Sequence, residues 1–306
     1  MAFDIIGFDE GNALLNWIEL CAALEKAHTL SKAEIADTLL YRGKDTLLSR
    51  SAWIDGLGIA IKGATVFPDN PAKDLPVVNG AVNLFSNDTG QLEALIDFHL
   101  VTKWKTAGDS LLAARKLARP DSRHILIIGA GTVGYSLRQA FGTMFPDAAF
   151  SIWNRSPKAA VKMAAEFPDT QAVTDIETAV RGADIITSAT MATEPLIKGD
   201  WLRPGQHINL IGAYRPDMRE ADDAAMRRSK LFVDSRDTTL DHIGELIMPL
   251  ASGAIRREDV IADFYDLESG EFARKNDSDI TLFKNGGGAH LDLMVSRYIL
   301  DAWRQR

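Results

Sequence analysis

Four apolar residues, Ile125-Leu126-Ile127-Ile128, run directly into Gly129-Ala130-Gly131-Thr132-Val133-Gly134, and an amphipathic helical pattern follows to Phe141. The order constrains the fold. A buried strand, a glycine turn and a helix N-terminus make one unit whose backbone N–H groups face an anion. The first glycine makes the tight turn, the second lets backbone approach a pyrophosphate, and the third lets the helix pack on the strand. The competing reading is a structural turn in an α/β protein. The next strand, residues 149–153, favours a dinucleotide site, because its end falls where such a site reads the ribose.

At that strand end stand Asn154-Arg155-Ser156, where an NAD site would carry an acid about 20 residues past the loop. No acid is present. A missing carboxylate removes the repulsion that excludes a 2′-phosphate, and Arg155 can face one, with Asn154 and Ser156 as hydrogen-bond donors. The pattern favours NADP(H) and leaves NAD(H) open, since Arg155 also reads as a solvated surface arginine. Ser188-Ala189-Thr190, closing the apolar stretch 183–190, join the candidate cofactor contacts.

From residue 124 onward strands alternate with helices: strands at 149–153, 183–190, 207–213 and 230–235, helices at 132–145 and 157–167. That alternation predicts a doubly wound parallel sheet. The segment before it differs. Residues 46–54, 57–67, 79–86 and 92–98 are rich in Val, Ile, Leu, Phe and Thr and are broken by Asp-Gly, Pro-Asp-Asn-Pro and Asn-Asp-Thr-Gly, the punctuation of an antiparallel meander. Helices are expected at 13–29, at 31–42 with Ser31 and Glu34 at capping-box spacing, at 101–119 and toward the end of 281–304.

With 306 residues the chain is long enough for two domains. A net charge of −8 argues against a nucleic-acid partner, and no apolar run reaches membrane-span length. The single cysteine, Cys21, excludes an intrachain disulfide and fits a cytoplasmic protein, as does an acidic rather than basic N-terminus. The six histidines form no metal-ligand pair, and no P-loop or GxSxG elbow is present. His290 reads as a helix-packing or a pocket-lining residue.

Candidate substrate contacts lie in the meander and the helix after it. Arg50 stands between two serines, and Lys62 interrupts the apolar strand IAIKGATVF. A cation there is costly to bury unless paired; the alternative is an outward-facing position. Lys103 and Lys105 lie in one helix, and pattern alone does not choose between them.

Six further stretches, GIAIKGATVFPDNP, NGAVNLFSNDTGQLEALID, LVTKWKTAGDSLLAARKLARPDS, INLIGAYRPDMREAD, LFVDSRDTTLDHIGEL and ITLFKNGGGAHLDL, stand in order around the glycine loop. Together they resemble the ornithine cyclodeaminase/μ-crystallin family from about residue 45 onward. The resemblance implies a Rossmann domain, residues 119–284, inserted into an α+β substrate and dimerisation domain, residues 1–118 with 285–306. It also implies a homodimer. WNRS is similar to the NADPH-binding turn of μ-crystallin. Arg50 and Lys62 match the family's basic pair for the substrate carboxylate. Lys105 takes the place of a family arginine in "TAxRTA", keeping the charge but losing the bidentate fork. Tyr214 departs further: the family's "GADxPGKxEL" has a proton-transferring Asp where this chain has Tyr214, with Asp217 as a possible stand-in.

The family includes cyclodeaminases, amino-acid dehydrogenases and ketimine reductases. Cyclodeamination shuttles protons among amines, work suited to a carboxylate. Tyrosine, with an unperturbed pKa of about 10, is a poor base near neutrality but an adequate donor. The expectation is therefore an NADP(H)-dependent imine or ketimine reductase, or amino-acid dehydrogenase, acting on a C–N bond. Arg50, Lys62 and Lys105 would hold the carboxylate, with Lys62 or Tyr214 as proton source. The alternatives are ornithine cyclodeaminase, and an NADPH-binding protein with little catalysis.

Overall fold

The computed structural model describes residues 3–306. The chain divides into two compact units: residues up to Lys105 together with Gly288–Arg306, and Thr106–Gly287. The division falls inside the long helix Phe98–Leu117.

The first unit is a six-stranded sheet of β1 (Asp4–Ile6), β2 (Glu34–Arg42), β3 (Asp45–Ile54), β4 (Gly58–Val66), β5 (Val78–Phe85) and β6 (Leu92–Asp97), in the order β1-β6-β5-β4-β3-β2. β3 to β6 form the expected antiparallel meander, β2 extends it by one strand, and β1 adds in parallel to β6. One face is covered by the helix Ala289–Arg304, which lies across β3, β4 and β5 and against the helix Trp17–Ala27. Side chains alternate across a strand, so Ala60, Lys62 and Ala64 of β4 all face inward under that helix. The alanines leave the room that the lysine stem fills.

The helix expected at 31–42 is instead β2, a correction. Gly43, at φ 59°, sits at the first of two turn residues between Arg42 and Asp45, a conformation that lets β2 fold back on β3. Nine backbone-paired positions from Glu34↔Trp53 to Arg42↔Asp45 then outweigh a local capping signal. All nine residues of β2 are exposed, including Leu40 at 60% and Tyr41 at 71%.

The second unit carries an all-parallel sheet of eight strands: β7 (His124–Ile128), β8 (Ala149–Trp153), β9 (Thr170–Val173), β10 (Ile185–Ser188), β11 (His207–Leu210), β12 (Lys230–Val233), β13 (Val260–Ala262) and β14 (Thr281–Lys284). Their order is β13-β12-β14-β11-β10-β7-β8-β9. The central strands are buried along almost their whole length, as expected of strands covered on both faces. Leu126, Ile128, Ile186, Ile208, Leu210 and Leu282 belong to one core. From β7 the chain winds one way to β8 and β9, then returns to place β10 on the other side. That reversal is the topological switch point, where open α/β sheets bind ligands at strand C-termini. Among the described residues no helix is long and apolar enough to cross a membrane.

Candidate active site

The glycine loop follows β7 at the switch point. Gly129 has φ 111°, and a Cβ there would lie 2.6 Å from the Ala189 carbonyl oxygen. A Cβ on Gly134 would lie 2.0 Å from the Gly129 oxygen, so the third glycine is required for the helix to pack. Gly131 faces open space and precedes the helix Thr132–Met144 without a side-chain cap. The first-turn N–H groups of Thr132, Val133 and Gly134 are therefore presented to a ligand, and the cradle fits a pyrophosphate.

Asn154 builds the neighbouring turn. Its Oδ1 accepts from the Ala130 N–H at 3.0 Å and its Nδ2 donates to the Ser156 carbonyl at 3.1 Å. The glycine loop and the turn after β8 are thus fixed to each other by one side chain, while Arg155 and Ser156 remain exposed. Ser188, Ala189 and Thr190 follow at the end of β10, and the Ala189 N–H donates to the Ile128 carbonyl at 2.8 Å.

Tyr214 lies beyond the end of β11 and is 58% exposed, with the Arg215 guanidinium 5.6 Å from its ring centroid. Asp217 is exposed and paired with Arg215. Arg215 grips it with two bonds of 2.9 Å, and that hydrogen bonding lowers its pKa.

The cation cluster belongs to the first unit. Arg50 and Lys62 are directly opposed on β3 and β4. Like charges facing each other across a sheet are destabilising unless anions separate them. Asp37 accepts from Arg50 at 2.8 Å. Asp292, on the last helix, takes both lysines on one oxygen: Lys62 Nζ at 3.0 Å and Lys105 Nζ at 2.9 Å. Lys62 also donates to Thr102 Oγ1 at 3.2 Å and lies 4.6 Å from the Phe98 ring centroid. Lys103 is outside the cluster and bonds Asn12 instead. Both cluster lysines and Asp292 are buried. Burial opposes charge on Asp292, but Lys105, Lys62 and Arg50 outweigh it and hold its carboxyl down to about 2. Two buried ammonium groups thus share one carboxylate oxygen.

Asp292 was not among the residues singled out from sequence, although its signal was available. It is an acid within HLDLMV, on the buried face of an apolar-periodic helix. Three more buried ionic residues also went unnoticed. Glu220, Glu245 and Lys284 are fully buried in the second unit. Burial raises the Glu220 carboxyl; burial and then Glu220 push Glu245 up to about 7; burial lowers Lys284. Among the described residues no His, Cys, Asp or Glu cluster fits a metal ion.

Fold and site together define a class: a Rossmann-type dinucleotide-binding unit inserted in the sequence of a sheet-and-helix unit that carries a buried cluster of two lysines on one aspartate. Residues 54–306 match the ornithine cyclodeaminase/mu-crystallin family, and the chain belongs to that family. The Delta(1)-pyrroline-2-carboxylate reductase of Paracoccus denitrificans (strain Pd 1222) is 51% identical over 300 residues, covering 96% of this chain and 95% of that protein. The structure of Thermococcus litoralis Delta(1)-pyrroline-2-carboxylate reductase in complex with NADH and L-proline superposes with a TM-score of 0.90 at 28% identity, covering 99% of this chain and 98% of the other. An archaeal alanine dehydrogenase dimer with bound NAD gives a TM-score of 0.90 at 29% identity, covering 100% and 97%.

Proposed function

We propose that this protein is a nicotinamide-dependent reductase of cyclic imine acids, with Δ1-pyrroline-2-carboxylate as the first candidate substrate and NADPH as the favoured donor. The observation that carries this reading is the buried pair Lys62 and Lys105 sharing a single Asp292 oxygen. Lys62, Lys105 and Arg50 hold the substrate carboxylate, and Lys62 is the proton source for the imine nitrogen. Tyr214 is the second candidate donor. Gly129 to Gly134 take the pyrophosphate, Asn154, Arg155 and Ser156 the adenosine ribose, and Ser188, Ala189 and Thr190 the nicotinamide half. When bound, the cofactor supplies the hydride that adds to the imine carbon. The relatives of known structure hold NADH and NAD; the preference for NADPH rests on Arg155 and the missing acid.

The assay is NADPH oxidation with Δ1-pyrroline-2-carboxylate, with proline identified as product. Failure to turn over this imine and its six-membered homologue, with cofactor bound, overturns the reading. Proline formed from ornithine without net cofactor change would establish cyclodeamination instead. Tyr214 at the aspartate position and Asp217 gripped by Arg215 weigh against that outcome.

A pH dependence follows from Lys105. Burial lowers its pKa to about 8, against the pull of Asp292. Below that pH the ammonium is charged and attracts the carboxylate; above it the charge is lost. Hence kcat/KM falls as pH rises through about 8. Lys105→Arg, whose guanidinium stays charged beyond pH ~12, is expected to carry this limb upward by more than about one unit. An unmoved limb removes Lys105 from carboxylate binding.

The chain forms a homodimer through the β2 edge in this proposal. Among the described residues β2 pairs with β3 alone, so its outer backbone groups are open, and Leu40 and Tyr41 are exposed beside them. Leu40→Lys with Tyr41→Glu is expected to convert a dimer to a monomer in analytical ultracentrifugation. A variant that stays dimeric places the interface elsewhere.

A further inference from the structure

Glu220 has no part in the proton or hydride steps proposed above, yet its carboxylate gathers four donors. Oε1 accepts from Ser188 Oγ at 2.6 Å, the Thr190 N–H at 2.8 Å and Thr190 Oγ1 at 2.7 Å. Oε2 accepts from the Gly212 N–H at 2.6 Å. These donors stand at or just past the C-terminal ends of two adjacent strands, β10 and β11. The two loops touch closely: a Cβ on Gly212 would lie 1.9 Å from the Thr190 carbonyl oxygen. On the other side, Ala189 is packed against Gly129 of the glycine loop. The Ser188–Thr190 segment is therefore wedged between two glycines and tied from beneath by one acid.

That acid is itself held. Glu245 accepts from the Glu220 N–H at 2.7 Å and the Ala221 N–H at 3.0 Å. Lys284 donates to the Leu210 carbonyl at 3.1 Å, fixing the end of β11 and supplying a positive charge to both glutamates. Such a fully partnered buried array is rigid, and each missing partner is costly.

The position gives the array a role. The pyrophosphate cradle follows β7, and the adenosine turn follows β8 on one side of the switch point. The other half of a dinucleotide then falls on the β10 side. We propose that Glu220 is a positioning residue for the nicotinamide half of the cofactor, clamping Ser188, Thr190 and Gly212 into the surface on which that ring and its ribose rest. This rests on the reading of the glycine loop as a dinucleotide site.

The test is Glu220→Gln. All four partners are donors, so an amide of the same shape turns an N–H toward at least one of them. Binding is followed by tryptophan fluorescence with NADPH and with 2′-phospho-ADP-ribose, which lacks the nicotinamide. The variant is expected to lose about tenfold in NADPH affinity and at least about tenfold in kcat, while the fragment binds within about twofold of wild type. Glu220→Asp is expected to recover part of the NADPH affinity. Equal losses for cofactor and fragment, or no loss for either, overturn the proposal. If Glu220→Gln does not fold, Thr190→Val carries the same comparison: a loss confined to NADPH is expected, and equal losses or none overturn it. Wild-type protein that binds neither ligand overturns the dinucleotide reading itself, and is distinguished by failing before any variant is made.

Discussion

Lys62→Met is expected to lower kcat/KM for the imine acid by a factor of about 100 to 1000, while NADPH affinity stays within about twofold. Methionine keeps an unbranched stem of similar length in the slot between Ala60 and Ala64, so packing is largely retained. What is lost is the ammonium that bonds Asp292 at 3.0 Å and, in the proposed chemistry, the substrate carboxylate and the imine nitrogen. Removing one partner of a buried charge pair costs roughly 2–5 kcal/mol, about 30- to 5000-fold, and the expected factor lies in the middle of that span. Asp292 keeps Lys105 at 2.9 Å, so the variant should still fold; a thermal melt checks this. Lys62→Arg, which keeps the charge but not the shape, should restore substrate binding more than turnover. Tyr214→Phe separates the two proton sources: with Lys62 as donor, its kcat stays within about threefold of wild type. A Lys62→Met enzyme with near-normal kcat/KM would remove the cluster from catalysis.

Arg155→Asp is expected to reverse the cofactor preference, changing the NADPH-to-NADH ratio of kcat/KM by more than about 100-fold. Two effects act in the same direction. A charge-assisted contact to the 2′-phosphate is lost, and a carboxylate takes its place, repelling phosphate while accepting from the ribose hydroxyls. The backbone should not move, because Asn154 holds the turn through Ala130 and Ser156, and residue 155 is exposed. Measuring both cofactors on wild type and variant checks this. A wild-type enzyme that prefers NADH, or a variant whose ratio is unchanged, would show that Arg155 does not read the ribose.

The glycine loop was legible because strand, turn and helix are contiguous, and each glycine answers a local steric demand. The meander was legible because its turns carry their own chemistry. β2 was not. All nine of its residues are exposed in the chain, so no buried face imposes an alternating pattern, and Ser31 with Glu34 imitated a helix start. Lys62 stood out as a cation inside an apolar strand, whereas Arg50 and the choice of Lys105 over Lys103 came from the family resemblance. The aspartate that Lys62 and Lys105 share was passed over, because one acid in a long helix looks like surface. Glu220 matches the Glu of the family's "GADxPGKxEL", but nothing in the sequence says what it holds. Its partners are 8 to 32 residues away along the chain and meet it only once β10 and β11 lie side by side.

The separation of Lys62 from Asp292, 230 residues, has a consequence for how the protein is made. The dinucleotide unit is a continuous stretch and can complete its sheet while synthesis proceeds. The sheet that carries Arg50 and Lys62 is translated first, yet its counter-ion and covering helix come last. Until then Lys62 lacks its counter-ion and an apolar surface stands uncovered on the nascent chain. The unit begun earliest is thus the one finished latest.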